Sequence, residues 1–364
     1  MLSDAHFAAL SATEGLDASA ANLTRLAERF GSDVAAWAFS QWECREKGQS
    51  KFAKAMEMLF SREALEQASH ERLAAYHASL FEEGELVGDL TTGIGGDLIA
   101  LAARGPALGC ELDGERAAYA MHNLEVHRLA AEIQIGNSLE FNHPVSAVFA
   151  DPSRRIQGQR TLQLRSFSPD PVVLAARFRS MRRAVMKLSP MLSDDDLGQF
   201  DAQVQFVEFA GECREALIVF GAEPQIQAVQ LDSGEKLEPL MPVMQVDEPQ
   251  RFLAEASPAA IRAHCLGHFG LASLGDSNGY LTGEVVEPNP WLSIFQVHWV
   301  GRLDQVAKEL RRLDSSTPEV KQRGAGLDLI KLRKQWRGEG NRRLVVLLYT
   351  IGKSIRAVIG EPGP

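Results

Sequence analysis

The residues best equipped for chemistry run from Asp89 to Asp97, Asp-Leu-Thr-Thr-Gly-Ile-Gly-Gly-Asp. A hydrophobic run precedes them and a helical pattern follows. A strand that enters a glycine turn and then a helix leaves backbone N–H groups unpaired at the helix start. Glycine there lets a ligand approach the backbone. A phosphate-binding loop of this kind has the spacing G-x-G-x-x-G. Here the spacing is D-x-x-x-G-x-G-G-D, with Asp97 where a phosphate would sit. Carboxylates repel phosphate and suit a ligand that carries an ammonium group instead.

Further polar residues follow at the ends of successive apolar runs. Glu111 closes the second run, and its carboxylate can accept two ribose hydroxyls. Asn137-Ser138 closes the third and can meet an adenine edge. Asp89 and Asp97 can face an amino-acid tail, with Thr91 in the same loop and Gly93 and Gly95 letting the tail pass. Together these residues suit a nucleoside joined to methionine. The competing reading is a sheet whose glycines merely turn the chain. The fourth run ends in Ala150-Asp151-Pro152-Ser153-Arg154-Arg155, an acid and a proline at a strand end. Arg154 and Arg155 are candidate acceptor contacts or a surface pair. Lys187, in Met-Lys-Leu-Ser-Pro, is a candidate for an acceptor phosphate or a strand-end lysine reaching solvent.

The elements that must position these residues follow from periodicity. Residues 1–80 read as helical, with Leu23, Leu26 and Phe30 at helical spacing and Gly31 and Gly48 as stops. From Glu85 the pattern becomes strand, loop, helix. Strands are predicted at 86–89, 107–111, 133–136, 147–150, 183–187, 205–209, 215–220 and 227–231. Such alternation implies a parallel sheet covered on both faces. The short Gly-Ala-Glu-Pro-Gln link predicts an antiparallel hairpin between the last two. Beyond 236 a helix over "SPAAIRAHCLGHFGLA", a strand over "LSIFQVHWV", two basic helices and a hairpin around Gly352 are expected. The predicted domains are 1–80 helical, 81–235 Rossmann-like and 236–364 a linker with a small α/β module.

The chain has 364 residues and a formal charge of -10, which argues against nucleic-acid binding by the whole surface. The charge is uneven. Residues 301–356 hold 14 Lys/Arg against 6 Asp/Glu, and residues 153–183 hold 8 Arg against one acid. Two basic zones can still make a local anion site, or they can be solvated faces. The four cysteines form no CxxC pair, and the histidines show no metal-ligand spacing, so neither a metal nor a disulfide framework is expected. His264 and His268 fall i, i+4 on the expected helix and read as packing or surface. No apolar run approaches the roughly 18 residues of a membrane span. No secretory leader is apparent, and a reducing cytoplasm is the expected location.

With these motifs in hand, the chain resembles bacterial class I S-adenosylmethionine-dependent methyltransferases with a C-terminal THUMP-like domain. "KFAKAMEMLFSREALEQAS" resembles the helical lead-in of that family, and "DLTTGIGGD", "ELDGERA" and "ADPSRR" resemble its cofactor and acceptor segments. "EVKQRGAGLDLIKLRKQWRGEGNRRLVVLLYTIGKSIRAVI" resembles its THUMP-like end. The resemblance implies a Rossmann-like methyltransferase sheet and S-adenosylmethionine as cofactor. Asp89, Thr91, Gly93, Gly95, Asp97, Glu111 and Asn137 would bind it. Asp151 and Pro152 would be the catalytic pair, and Arg154, Arg155 and Lys187 would contact substrate. Phe60 and Gln67 would lie in a lead-in that covers the cofactor. In relatives acting on exocyclic amines, a second proline and an aromatic follow the acid; Ser153 and Arg154 replace them here, and an arginine plane can stack on a base. RNA is the expected acceptor, at a base amine or ring nitrogen. A protein or small-molecule acceptor, or a scaffold that binds cofactor without transfer, are the alternatives. The sequence leaves the oligomeric state open.

Overall fold

The computed structural model describes residues 2–153, 155–156, 159–160, 163–242, 244–276 and 278–363. Arg154 lies outside them, and at Arg155 the backbone alone is described. Two compact units are present, Met1–Gln203 with Leu217–Pro224 and Val204–Ala216 with Gln225–Pro364.

The first unit opens with helices α1 (Asp4–Ala12), α2 (Ala20–Phe30), α3 (Ser32–Gly48), α4 (Arg62–Gln67) and α5 (Glu71–Ser79). Side chains of Ser19 and Ser61 cap α2 and α4 by accepting backbone N–H groups, as the residue types predict. Then come β1 (Val87–Asp89), α6 (Gly96–Ala102), β2 (Ala107–Glu111), α7 (Gly114–Val126), β3 (Glu132–Ile135) and β4 (Ala147–Ala150). A short hairpin, β5 (Arg155–Ile156) and β6 (Gln159–Arg160), precedes α8 (Pro171–Phe178), β7 (Arg183–Leu188) and α9 (Asp194–Gly198). The sheet order β3-β2-β1-β4-β7 is parallel at every pairing. Its centre is dry: Ala147, Val148, Phe149, Ala150, Ala184, Val185 and Met186 are all fully buried. That is why these strands read as continuous apolar runs rather than alternating ones. The chain order reverses between β1 and β4. The carboxyl ends of strands at such a switch point form a crevice, and the glycine loop, Glu111 and Asp151 all follow those ends.

The lead-in packs directly on this crevice. Phe52, Met58, Leu59, Phe60 and Leu65 share a buried cluster with Ile94 of the glycine loop and Tyr119 of α7. Asn123 of α7, fully buried, closes the joint. Its Oδ1 accepts from Leu59 N–H at 2.7 Å, and its Nδ2 donates to the carbonyls of Leu59 and Ile94 at 3.0 and 2.9 Å. Phe60 belongs to this core, and Gln41 bonds both its backbone groups.

The second unit contains β8 (Gln203–Phe209, from Val204 onward), the start of β9 (Glu212–Phe220), β10 (Ile226–Gln230) and β11 (Lys236–Leu237). The expected hairpin between the last two predicted strands does not form. Instead Ala210 and Gly211, at φ 53° and 75°, turn β8 into β9, because two left-handed residues match the twist of an antiparallel pair. β10 then runs parallel to β8, from Ile226↔Val204 to Gln230↔Glu208.

Beyond it lie β12 (Gln245–Val246), β13 (Phe252–Ala256), α10 (Pro258–Arg262), β14 (Ala272–Leu274), β15 (Tyr280–Gly283), β16 (Leu292–Arg302), α11 (Val306–Arg312), β17 (Glu319–Gln322), α12 (Leu329–Gln335), β18 (Val345–Ile351) and β19 (Ser354–Pro362). They form an eight-stranded sheet, β12-β14-β15-β13-β16-β19-β18-β17. Several of its short strands escaped the sequence reading. β18 is apolar from Val345 to Leu348 because Val345, Leu347 and Tyr349 enter one core while Val346 and Leu348 enter another with Val306, Leu310 and Trp336. The long helix expected over 257–272 is also corrected. It breaks after Arg262, and His264 takes φ 57°, so His264 and His268 do not share a helix face. Among the described residues no helix is long and apolar enough to cross a membrane.

The Asn123 joint makes a prediction. Asn123→Leu strands three buried backbone groups and is expected to cost about 2–4 kcal/mol, measured by urea unfolding. An unchanged midpoint would show that the joint does not hold the lead-in to the loop.

Candidate functional site

A cavity of about 710 Å³ opens over the carboxyl ends of β1, β2 and β4, within the size range of small-ligand sites. Thr91, Gly93, Asp97, Glu111, Asn137 and Asp151 line it. Asp89, Gly95, Pro152 and Lys187 stand behind its wall. Gln67 lines it from α4, whereas Phe60 does not reach it.

The glycine loop takes its shape from two left-handed residues, Gly93 at φ 56° and Gly95 at φ 89°. A Cβ on Gly93 would meet no protein atom nearer than 4.0 Å, so it would stand in the cavity. A Cβ on Gly95 would press on Ala120 of α7 at 3.2 Å. The first glycine therefore leaves room for a ligand, and the second lets two helices approach.

Glu111 is tied down before any ligand arrives. Its Oε2 accepts from Gly93 N–H at 2.7 Å and its Oε1 from Asp113 N–H at 3.0 Å. A carboxylate has about four lone-pair sites, so each oxygen keeps capacity for a hydroxyl. Asp113 caps α7 through Glu115 and Arg116 N–H groups. Asn137 Oδ1 accepts from Leu139 N–H at 3.0 Å and orders the turn after β3. Leu112 and Leu139 also line the cavity, yet are 73% and 44% exposed. Two aliphatic side chains left in water at the rim suit the faces of a flat ring. Their signal in the sequence was weak: each simply follows a polar residue at a strand end.

Asp89 is fully buried. Its Oδ1 accepts from Thr91 N–H at 3.1 Å, and its Oδ2 has no hydrogen-bond partner among the described residues. Burial, then the nearby charge of Asp97, drives its carboxyl well above the usual range; Glu111 and Asp151 add to this, and the Thr91 N–H opposes it. Asp97 goes the other way. Burial pushes it up, but the charge and hydrogen bond of His77, then Lys187 and Ser69, outweigh burial and hold it below its ordinary value. His77 Nδ1 lies 2.6 Å from Asp97 Oδ1, and its ring stacks on Phe149. Ser69 donates to Asp97 Oδ2 at 3.2 Å.

Asp151 is fixed by its neighbours at both ends. Its N–H donates to Thr91 Oγ1 at 2.6 Å, and Lys187 Nζ donates to its Oδ2 at 2.6 Å. Lys187 also donates to Ser69 at 3.0 Å. Lys187, a candidate for an acceptor phosphate or for solvent, thus sits in an ion pair with Asp151. Ser153 pairs with Ser168 through both backbone bonds, 2.8 and 2.9 Å, closing the base of the excursion between them. Ser69, His77, Leu112 and Leu139 are the site residues that sequence reasoning missed.

Since Asp89 titrates higher in the folded chain, the folded state binds its proton more tightly than the unfolded state. Its contribution to stability is present below its ordinary pKa and is lost as pH rises through the raised value. Asp89→Asn is therefore expected to melt above the wild type at pH 8 without ligand, with the gap closing toward pH 4. Thermal melts across that range check it; a lower melting point at pH 8 would refute it.

The residues present fit S-adenosylmethionine. The Asp97 carboxylate in the cavity wall suits an ammonium, Glu111 suits a diol, and Gly93 leaves space for the chain between them. The chain matches no protein-family model. Two Mycobacterium tuberculosis proteins, from strains CDC 1551 and H37Rv, are each named as an uncharacterized S-adenosylmethionine-dependent methyltransferase. Each is 30% identical over 361 residues, covering 89% of this chain and 95% of the relative. A crystal structure from Porphyromonas gingivalis W83, described as a candidate methyltransferase, shares the fold at a TM-score of 0.81, with 20% identity and 100% of both chains covered. The two mycobacterial relatives show the family, and this chain belongs to the S-adenosylmethionine-dependent methyltransferases.

Proposed function

We propose that this enzyme methylates RNA, with Asp151 as the acceptor-side catalytic residue. The carrying observation is that Asp151 lines the same cavity as Gly93, Asp97 and Glu111. Bound S-adenosylmethionine supplies an electrophilic methyl group on a sulfonium. Asp97 would hold its ammonium, Glu111 its ribose hydroxyls, and Asn137 with Leu112 and Leu139 its adenine, with the buried Asp89 supporting the loop beneath. Asp151, aimed by Thr91 and Lys187, would accept a hydrogen from the attacking atom and direct its lone pair at the methyl carbon. Pro152 stiffens that turn. Such a reaction is an in-line displacement in which the protein mainly positions and stabilises charge.

RNA as acceptor is supported by charge. Lys331, Arg333 and Lys334 of α12 are exposed, as are Lys308, Arg311 and Arg312 of α11 and its C-terminal end. On an acidic chain this is a concentrated basic surface, and phosphate contacts dominate nucleic-acid affinity. We read residues 236–364, within this second unit, as a linker and the THUMP-like module, and the cytoplasm as the place of action.

The test is transfer of labelled methyl to fractionated cell extract, wild type beside Asp151→Ala. Label is expected in RNA and should fall at least about 100-fold in the variant, with cofactor affinity kept. Normal transfer by the variant would remove Asp151 from catalysis, and label confined to protein or small molecules would replace RNA as acceptor. RNA affinity should also fall steeply with salt, and alanines at Lys331, Arg333 and Lys334 should flatten that slope by about 2–3. A slope that those alanines leave unchanged would take RNA off α12.

A further inference from the structure

Two carboxylates at this site have different assignments, Asp97 on the cofactor side and Asp151 on the acceptor side. They are joined by a line of hydrogen bonds. Lys187 Nζ donates to Asp151 Oδ2 at 2.6 Å and to Ser69 Oγ at 3.0 Å. The Ser69 hydroxyl in turn donates to Asp97 Oδ2 at 3.2 Å. Asp97 Oδ1 lies 2.6 Å from His77 Nδ1. Donors and acceptors are consistent along the line. A hydroxyl has one hydrogen to give and lone pairs to receive, and Ser69 spends its hydrogen on the carboxylate while accepting from the ammonium.

Ser69 sits at the crossing of several elements. It falls between α4 and α5, Asp97 is on α6, and Lys187 is on β7. The hydroxyl is buried with its residue, 5% exposed, and the residue lines the cavity. Its segment is anchored from outside. Lys51 Nζ donates to the carbonyls of Leu65, Glu66 and Ala68 at 2.8, 3.1 and 2.7 Å. These are end carbonyls of α4 that the helix cannot satisfy itself. Glu71, just beyond, accepts from Ala53 N–H at 2.8 Å. Ser69 is thus delivered to the site by a braced turn rather than a loose loop.

We propose that Ser69 is a positioning residue that couples the two halves of the methyl-transfer site, setting Asp97 and the Asp151–Lys187 pair as one unit. Removing its hydroxyl strips a partner from Asp97 and one from Lys187 together. A group serving one side alone would disturb cofactor binding or transfer. Ser69 disturbs both.

The inference rests on the reading that Asp97 faces the cofactor and Asp151 the acceptor. The test measures S-adenosylmethionine affinity by calorimetry and the transfer rate at saturating cofactor, using the extract fraction that the wild type labels. Ser69→Ala is expected to weaken cofactor binding roughly 3- to 10-fold. It should also slow transfer at saturation roughly 10- to 100-fold. Ser69→Thr, which returns the hydroxyl, should bring both within about threefold of wild type. Thermal melts check that each variant is folded. A change confined to affinity, or confined to rate, overturns the coupling. So does a folded Thr variant that restores neither. A wild type that binds cofactor and labels no fraction overturns the transfer reading itself, and the inference falls with it.

Discussion

Several carboxylates converge at the carboxyl ends of β1, β2 and β4, and like charges in a poorly solvated space repel. Asp89, Asp97, Glu111 and Asp151 can be kept together because each is handled differently. Asp89 is buried and pushed toward its neutral form. Asp97 is held ionised by His77, Lys187 and Ser69. Glu111 takes two backbone N–H groups. Asp151 takes an ammonium. Divergent environments for neighbouring acids are a mark of functional sites. The arrangement leaves Asp97 charged in the cavity wall and Asp151 paired with an ammonium beside it.

That balance depends on the helical lead-in. Ser69 and His77, which hold Asp97, come from residues before the first strand. The lead-in in turn depends on a buried apolar cluster with Ile94 and Tyr119, and on the Asn123 joint. Burial of side chains such as Phe60 or Met58 contributes roughly 1.5–3 kcal/mol each. The polar joint adds direction rather than bulk stability, since it fixes which backbone groups face each other. Helix packing and site electrostatics are therefore one problem in this molecule.

Much of the first unit was legible in the sequence. Its central strands were apolar runs because both faces are covered, and β1, β2 and β4 end in or run into Asp89, Glu111 and Asp151. The glycine spacing with Asp97 pointed to an ammonium ligand. The second unit was harder. Its strands β12, β14 and β17 are two to four residues long, too short for a period to show. Its hairpin at Ala210-Gly211 used an alanine in a conformation that residue rarely takes, so no turn signal announced it.

The sequence by itself determined the class of fold and the cofactor, because periodicity and loop chemistry are local and survive without the rest of the chain. It also placed acids at strand ends, where the cavity opens. Tertiary structure alone decided which atom each acid answers to. Lys187 and Asp151 are 36 residues apart and Ser69 and Lys187 are 118 apart. Hydrogen bonds and Coulomb forces act over a few ångströms, whatever the separation along the chain. Only the closed sheet and its packed lead-in bring such groups within that range.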